Sequence, residues 1–340
     1  MQSRRALLAA SAALPLAACA SRLVEAGRRT IGSVTRLDPR LDAILDASAP
    51  IEVLATGHQW VEGPSWVTGG GYLLYSDVPK NQMWRWSEHG GDELFLQPSG
   101  LAGTVPAAIR EAGSNGLYYA GGDTLLMADS GTRAIARLNL ATGAKTILAD
   151  RYRGKRFNSC NDLVLSRSGA IYFTDPPYGL ADGDDSPLKE LDFNGVYRLS
   201  PDGDVTLIDK LTRPNGIGLS PDERTLYVSV SDEKRPVILT YRLREDGLPE
   251  AEPKLLRDFS RELADGGPGL PDGMTVHSDG WLFSSGPGGL YILAPDGAKL
   301  GLIATGKPIA NCCFGGSDGK MLYMTSSDML IRMPVHTASA

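Results

Sequence analysis

The chain is short of most residues that announce a chemistry. It holds 4 cysteines and 4 histidines in 340 residues, and aromatics make up 7%. No Cys-x-x-Cys pair occurs, so the usual structural zinc patterns are absent. His58, His89, His277 and His336 show no triad spacing, and no Gly-x-Ser-x-Gly elbow is present, which argues against a serine hydrolase. The formal net charge is −6, and no Lys/Arg cluster is interleaved with aromatics. A nucleic-acid partner is therefore not expected. What is abundant is punctuation: 40 Gly and 22 Pro imply many short connections and many strands rather than long helices.

The first 22 residues, "MQSRRALLAASAALPLAACASR", combine a charged start, an apolar stretch and small residues at the end, the pattern of an export signal, and they are too short to span a bilayer. Arg4 and Arg5 followed by Leu7 and Leu8 resemble a twin-arginine signal, and "LAAC" ending at Cys19 resembles a bacterial lipoprotein cleavage box. The expectation is a periplasmic or envelope-anchored bacterial protein. Its only membrane attachment would be a lipid on Cys19; a twin-arginine signal cut elsewhere is the alternative. Residues 23–50 read as a linker, and 51–336 as the catalytic domain. Cys160, Cys312 and Cys313 remain; a bridge from Cys160 to either of the other two is one reading, and three buried thiols acting as small hydrophobes is the other.

Beyond residue 50 one pattern is written six times. The copies are "EGPSWVTGGGYLLYSD", "NGLYYAGGDTLLMAD", "NDLVLSRSGAIYFTD", "NGIGLSPDERTLYVS", "DGMTVHSDGWLFSSG" and "NCCFGGSDGKMLYMT", whose leading residues lie 53, 46, 54, 57 and 39 positions apart. Each copy is a hairpin, and runs such as "QMWRWS" and "GVYRLSP" between copies add further alternating strands. About four strands per repeat, six times over, define a six-bladed β-propeller with four-stranded blades around a central channel. The fold class is all-β.

A propeller delivers the leading residue of each innermost strand to one place on the axis. Those residues are Glu62, Asn115, Asn161, Asn215, Asp272 and Asn311, two carboxylates and four carboxamides without a Lys or Arg. Oxygen donors of this kind suit a hard divalent ion: Ca²⁺ above all, with Mg²⁺, Mn²⁺ or, less naturally, Zn²⁺ as alternatives. Asn-Gly and Asp-Gly are also ordinary turn formers, but Glu62 is not a turn residue.

With these stretches in hand, the chain resembles the gluconolactonase and senescence marker protein (regucalcin) family. The resemblance runs through "VEGPSW", "GSNGL", "RFNSCNDLVLSRSGAIYFTDPPYG", "RPNGIGLSPDERTLYVS", "LPDGMTVHSDGWLFSSGPGGLYILAPDG" and "IANCCFGGSDGKMLYMT", covering about residues 52 to 335. It implies a lactone-hydrolysing propeller with a divalent metal, usually calcium and sometimes zinc, in the axial channel. The implied metal ligands are Glu62, Asn215 and Asp272. Asn161 lies beside the metal, counted with both metal and substrate, and Asp272 is also the catalytic proton-transfer residue. After "LLMAD" the chain has Ser130 and Thr132 where many relatives place a His, so substrate preference departs from the pattern there.

Lactone opening needs a water nucleophile, a polarised carbonyl and a proton for the leaving ring oxygen. An axial metal with Asp272 meets these needs, and Asn161 and Asn115 are expected to orient the substrate. Asp175 recurs at the position of Asp77 and Asp129 and reads either as a structural hydrogen-bonding residue or as a contact to a substrate hydroxyl; we count it with the substrate residues. His58 reads as a packing residue or as part of the pocket mouth. Substrate choice should lie in loops such as 97–110 and 176–192. Phosphotriester hydrolysis at the same site, or a non-catalytic calcium-binding propeller, are the competing readings.

Overall fold

A computed structural model describes residues 28–336 of the chain. The export signal and Cys19 lie outside the described residues. Six sheets of four strands follow one another around an axis: residues 61–96, 114–149, 163–211, 214–258 and 274–304 form blades 1 to 5, each in simple up-and-down order. Blade 6 combines residues 311–334 with the N-terminal strand Glu52–Thr56, which pairs antiparallel with Met329–Pro334 and closes the ring. The innermost strands of neighbouring blades touch all the way round. The expected architecture, fold class and strand count per blade are therefore present.

Burial follows distance from the axis. Second strands such as Ile171–Asp175 and Leu282–Gly286 are buried along their whole length, because both faces meet another blade. They read as near-continuous buried runs rather than as alternation. Outer strands such as Lys145–Ala149 are largely exposed. Accordingly the core is divided into interblade layers. One joins Val67 and Leu74 of blade 1 to Leu117 and Met127 of blade 2; another joins Tyr172 and Val196 of blade 3 to Ile217 and Val228 of blade 4. One twisted sheet cannot cover its own faces, so each blade depends on its neighbours.

Residues 28–50 are not a free linker. Strand Ser33–Arg36 pairs with residues 301–304 and adds a fifth strand to blade 5. A short 3₁₀ turn, Pro39–Ala43, is capped by Asp38, whose side chain accepts from the Arg40 amide. Leu41, Ile44 and Leu45 are then fully buried against blades 5 and 6. The apolar spacing that drives this is only a few residues long and broken by Pro and Gly, which is why it does not stand out in the sequence. Cys160 and Cys312 are buried as free thiols and Cys313 is partly exposed, so no bridge forms among them.

Candidate active site

All six leading residues sit where an innermost strand begins. In three blades a β-bulge falls just there, between Glu62 and Ser65, Ser114 and Leu117, and Pro214 and Ile217, and it re-aims the side chain toward the axis. Four of the six ring residues are followed by glycine, whereas Asp162 and Cys312 follow Asn161 and Asn311, and for those glycines interblade packing is a reason. A Cβ on Gly216 would stand 2.2 Å from the Asp272 carbonyl oxygen, and one on Gly273 would stand 2.0 Å from the Asn311 side chain. At these glycines the successive blades approach too closely for a larger residue.

A second device fixes the ring. Hydroxyls on the buried second strand of one blade donate to the main chain of the next blade's ring residue: Ser76 to Asn115 (2.9 Å), Thr174 to Asn215 (2.6 Å) and Ser229 to Asp272 (2.7 Å). Ser231 donates likewise to Pro271. The ring's geometry is thereby held by blade-to-blade bonds and not by the loops above it.

Glu62, Asn115, Asn161, Asn215 and Asp272 line a single cavity of about 730 Å³ on one face of the ring. Asn311 does not: it lines a separate cavity with Asp162, its Oδ1 accepts from the Cys312 amide at 2.8 Å, and its side chain hydrogen-bonds the carboxylates of Glu62 and Asp162. Pro308 and Ile309 represent blade 6 on the cavity wall instead. The six-membered ring read from the repeat is thus a ring of five in the cavity, one from each of blades 1 to 5.

Asp175 is also elsewhere. Fully buried, it accepts from the amides of Asn158 and Ser159, both at 2.8 Å, and anchors the loop that leads into Asn161. It acts on the site through that loop and does not line the cavity, so the expected substrate contact is replaced by the structural one. His58 is buried in blade 1 between Tyr75 and Trp84, with Nε2 2.8 Å from the Tyr75 hydroxyl and Nδ1 3.6 Å from Asp77. Packing is its role. Ser130 donates to the Cys160 carbonyl and the Thr132 amide bonds to Asp129; neither residue lines the cavity.

The site is electrostatically loaded. Burial first, and then the neighbouring carboxylates of Asp272 and Asp162, hold the Glu62 carboxyl well above the ordinary range. Burial and the charge of Asp162 do the same to Asp272. Asp162, one position after Asn161, is pushed up to about 7 by burial, against hydrogen bonds from the Leu163 and Ile217 amides. Three acids therefore share a confined space, and nothing in the ring neutralises them. Asn215 adds a telling detail: its amide donates to Ser231 at 2.9 Å, while its buried Oδ1 has no partner. An orphaned acceptor beside crowded carboxylates suits a hard cation, which Glu62, Asn161, Asn215 and Asp272 have the oxygen donors to hold. Among the described residues no group of three or more His, Cys, Asp or Glu side chains has metal-holding geometry, so an ion here would depend on the carboxamides.

Sequence reasoning missed Asp162 and, on the cavity wall, Glu111 and Arg213, although the loops 97–110 and 176–192 that it singled out do bring Arg110 and Tyr178 to that wall. Asp162 was visible as the second half of the Asn-Asp pair, but strand alternation gave no reason to point both residues at the axis. Glu111, Arg110, Tyr178 and Arg213 come from loops whose path no periodicity encodes. Burial raises the Glu111 carboxyl to about 7, opposed by Arg110.

A six-bladed propeller with an acidic carboxamide ring at one mouth of its channel is the architecture of a small-molecule site on the axis. The chain belongs to the SMP-30/Gluconolactonase/LRE-like family, whose model matches residues 60–328. It is 49% identical to a gluconolactonase of Zymomonas mobilis over 98% of both chains. It is 27% identical to the pentonolactonase XacC of Haloferax volcanii, over 81% of this chain and 84% of that one. Among solved structures, a gluconolactonase from Xanthomonas campestris superposes with a TM-score of 0.76 at 31% identity, covering 91% of this chain and 98% of that one.

Proposed function

We propose that this protein is a gluconolactonase-like lactone hydrolase, working through a divalent ion held by Glu62, Asn215 and Asp272 with Asn161 beside it. Family membership and the near full-length similarity to a gluconolactonase support the reaction class. The observation that carries the site assignment is the convergence of five ring residues on one cavity, with the Asn215 Oδ1 unpartnered among carboxylates.

When bound, such an ion supplies Lewis-acid polarisation of an ester carbonyl and compensates the clustered negative charge. The residues supply the rest. Asp272, partly open to the cavity, accepts a proton from the attacking water and returns it to the alkoxide as the ring opens. Its backbone is fixed by the Ser285 hydroxyl, which accepts from the Asp272 amide at 2.8 Å, and by the Ser229 hydroxyl, which donates to its carbonyl. Asn161 and Asn115, each about 5% exposed or less, orient the substrate with carboxamides that line the cavity from the adjacent blades 3 and 2. Calcium is the ion we favour, on donor chemistry.

The test is hydrolysis of glucono-1,5-lactone, followed by proton release, on protein stripped of metal and refilled with Ca²⁺, Zn²⁺, Mn²⁺ or Mg²⁺. Turnover should vanish on stripping and return with metal. Asp272→Asn should lower kcat by about 10²-fold or more with the melting transition retained, whereas full activity in that variant would remove Asp272 from the mechanism.

A further inference from the structure

Two loops meet over the cavity. Residues 97–113 leave blade 1, and residues 176–181 follow the second strand of blade 3; the amides of Arg110 and Glu111 both donate to the Gly179 carbonyl (2.8 and 3.3 Å), and the Ala181 amide donates to Ala108 at 3.0 Å. Ile109 pairs with Leu180 in an isolated antiparallel bridge. Below this clasp Ile109, Ala112 and Leu180 form their own apolar cluster. Main-chain bonds and apolar packing thus account for the loops' position, and they do not require the polar side chains that the clasp carries.

Those side chains face the cavity. Glu111 is 16% exposed at its side chain, and its Oε1 accepts from Arg110 at 3.2 Å. No other hydrogen bond to this carboxylate is present among the described residues. Tyr178 lines the same wall, its hydroxyl making only a long contact, 3.5 Å, to the Ser231 carbonyl. Trp60 supplies an apolar surface to the same space. A carboxylate with accepting capacity to spare, a phenol with a proton to donate and an indole make a wall suited to a polyol, because each ring hydroxyl both donates and accepts.

The geometry points to Glu111 and Tyr178 as specificity-determining residues that bind the ring hydroxyls of a polyhydroxylated lactone, Glu111 accepting and Tyr178 donating. This rests on the lactonase reading. It assigns substrate choice to the clasped loops and leaves ring opening to the axial residues. Sites that hydrogen-bond a substrate hydroxyl reject analogues lacking it, because their own polar groups are then left unpaired.

The experiment compares D-glucono-1,5-lactone with δ-valerolactone, the same ring without hydroxyls, on the metal-loaded full-length protein and its Glu111→Gln and Tyr178→Phe variants. The ratio of the two kcat/KM values should fall at least about tenfold in Glu111→Gln, mainly through KM for gluconolactone, and less steeply in Tyr178→Phe. Both replacements keep side-chain volume, and a melting curve checks the fold. An unchanged ratio in Glu111→Gln overturns the inference, whether both activities fall together or neither does. A wild-type enzyme preferring δ-valerolactone also overturns it. Wild-type protein inactive on every lactone overturns the lactonase reading itself. If δ-valerolactone binds without turnover, its inhibition constant replaces its kcat/KM and the same ratio decides.

Discussion

Asp175 has no exposure at all, and a carboxylate in that position must be repaid by donors or give up its charge. It does some of both: the Asn158 and Ser159 amides each reach it at 2.8 Å, yet burial still pushes it up to about 7, with Arg133 and Lys189 pulling the other way. Asp175→Ala leaves two buried amides without an acceptor and should destabilise by about 3 kcal/mol, seen as a lower melting temperature. The pH dependence has a definite sign. The folded value lies above the unfolded one of about 3.9, so the native state binds the extra proton, and this contribution is full below pH 4 and lost as pH rises through 7. The melting-temperature deficit of Asp175→Asn relative to wild type should therefore shrink between pH 4.5 and pH 7.5, and a widening deficit would refute the assignment. In the sequence this residue was recognisable only by its recurrence with Asp77 and Asp129. Recurrence identifies a blade position, but it does not tell whether the side chain faces the axis or the loop beneath it.

At the scale of elements, legibility tracked the length of the pattern. The second strands, such as "TLYVS" and "AIYFT", are long enough and apolar enough to be read directly, and the glycines behind the ring residues marked the blade starts even though their cause is interblade contact. The strap formed by residues 28–50 was illegible, because its few apolar residues gain meaning only against blades 5 and 6, nearly three hundred positions away. Leu41 lies at the centre of that contact, with no exposed surface. Leu41→Ala should cost about 2–5 kcal/mol, lowering the melting temperature while leaving lactone turnover at 25 °C intact, since the strap lies apart from the cavity wall. Measured by thermal unfolding beside the assay, an unchanged melting temperature would return residues 28–50 to the linker that the sequence suggested.

At the scale of the molecule, five blades each send one residue into a single cavity, and the Glu52–Thr56 pairing with Met329–Pro334 closes the ring together with the apolar layer that joins Val61 and Tyr75 of blade 1 to Tyr323 and Leu330 of blade 6. An ion gripped by Glu62, Asn215 and Asp272 would tie blades 1, 4 and 5 together and offset the burial and the neighbouring negative charge that raise Glu62 and Asp272. Because it binds the assembled ring and not the unfolded chain, free Ca²⁺ at a hundred times its dissociation constant should stabilise the fold by about 2.7 kcal/mol, a rise of several degrees in melting temperature. Glu62→Gln removes one ligand charge and should shift this response to higher Ca²⁺ concentration. Leu41→Ala, remote from the cavity, should melt lower yet show the full calcium response, because distant sites add independently. An equal calcium response in wild type and Glu62→Gln would mean that the cation acts elsewhere on an acidic surface. No response to any divalent ion would return the carboxamide ring to a purely structural role, and with it the physical case for metal-assisted lactone opening.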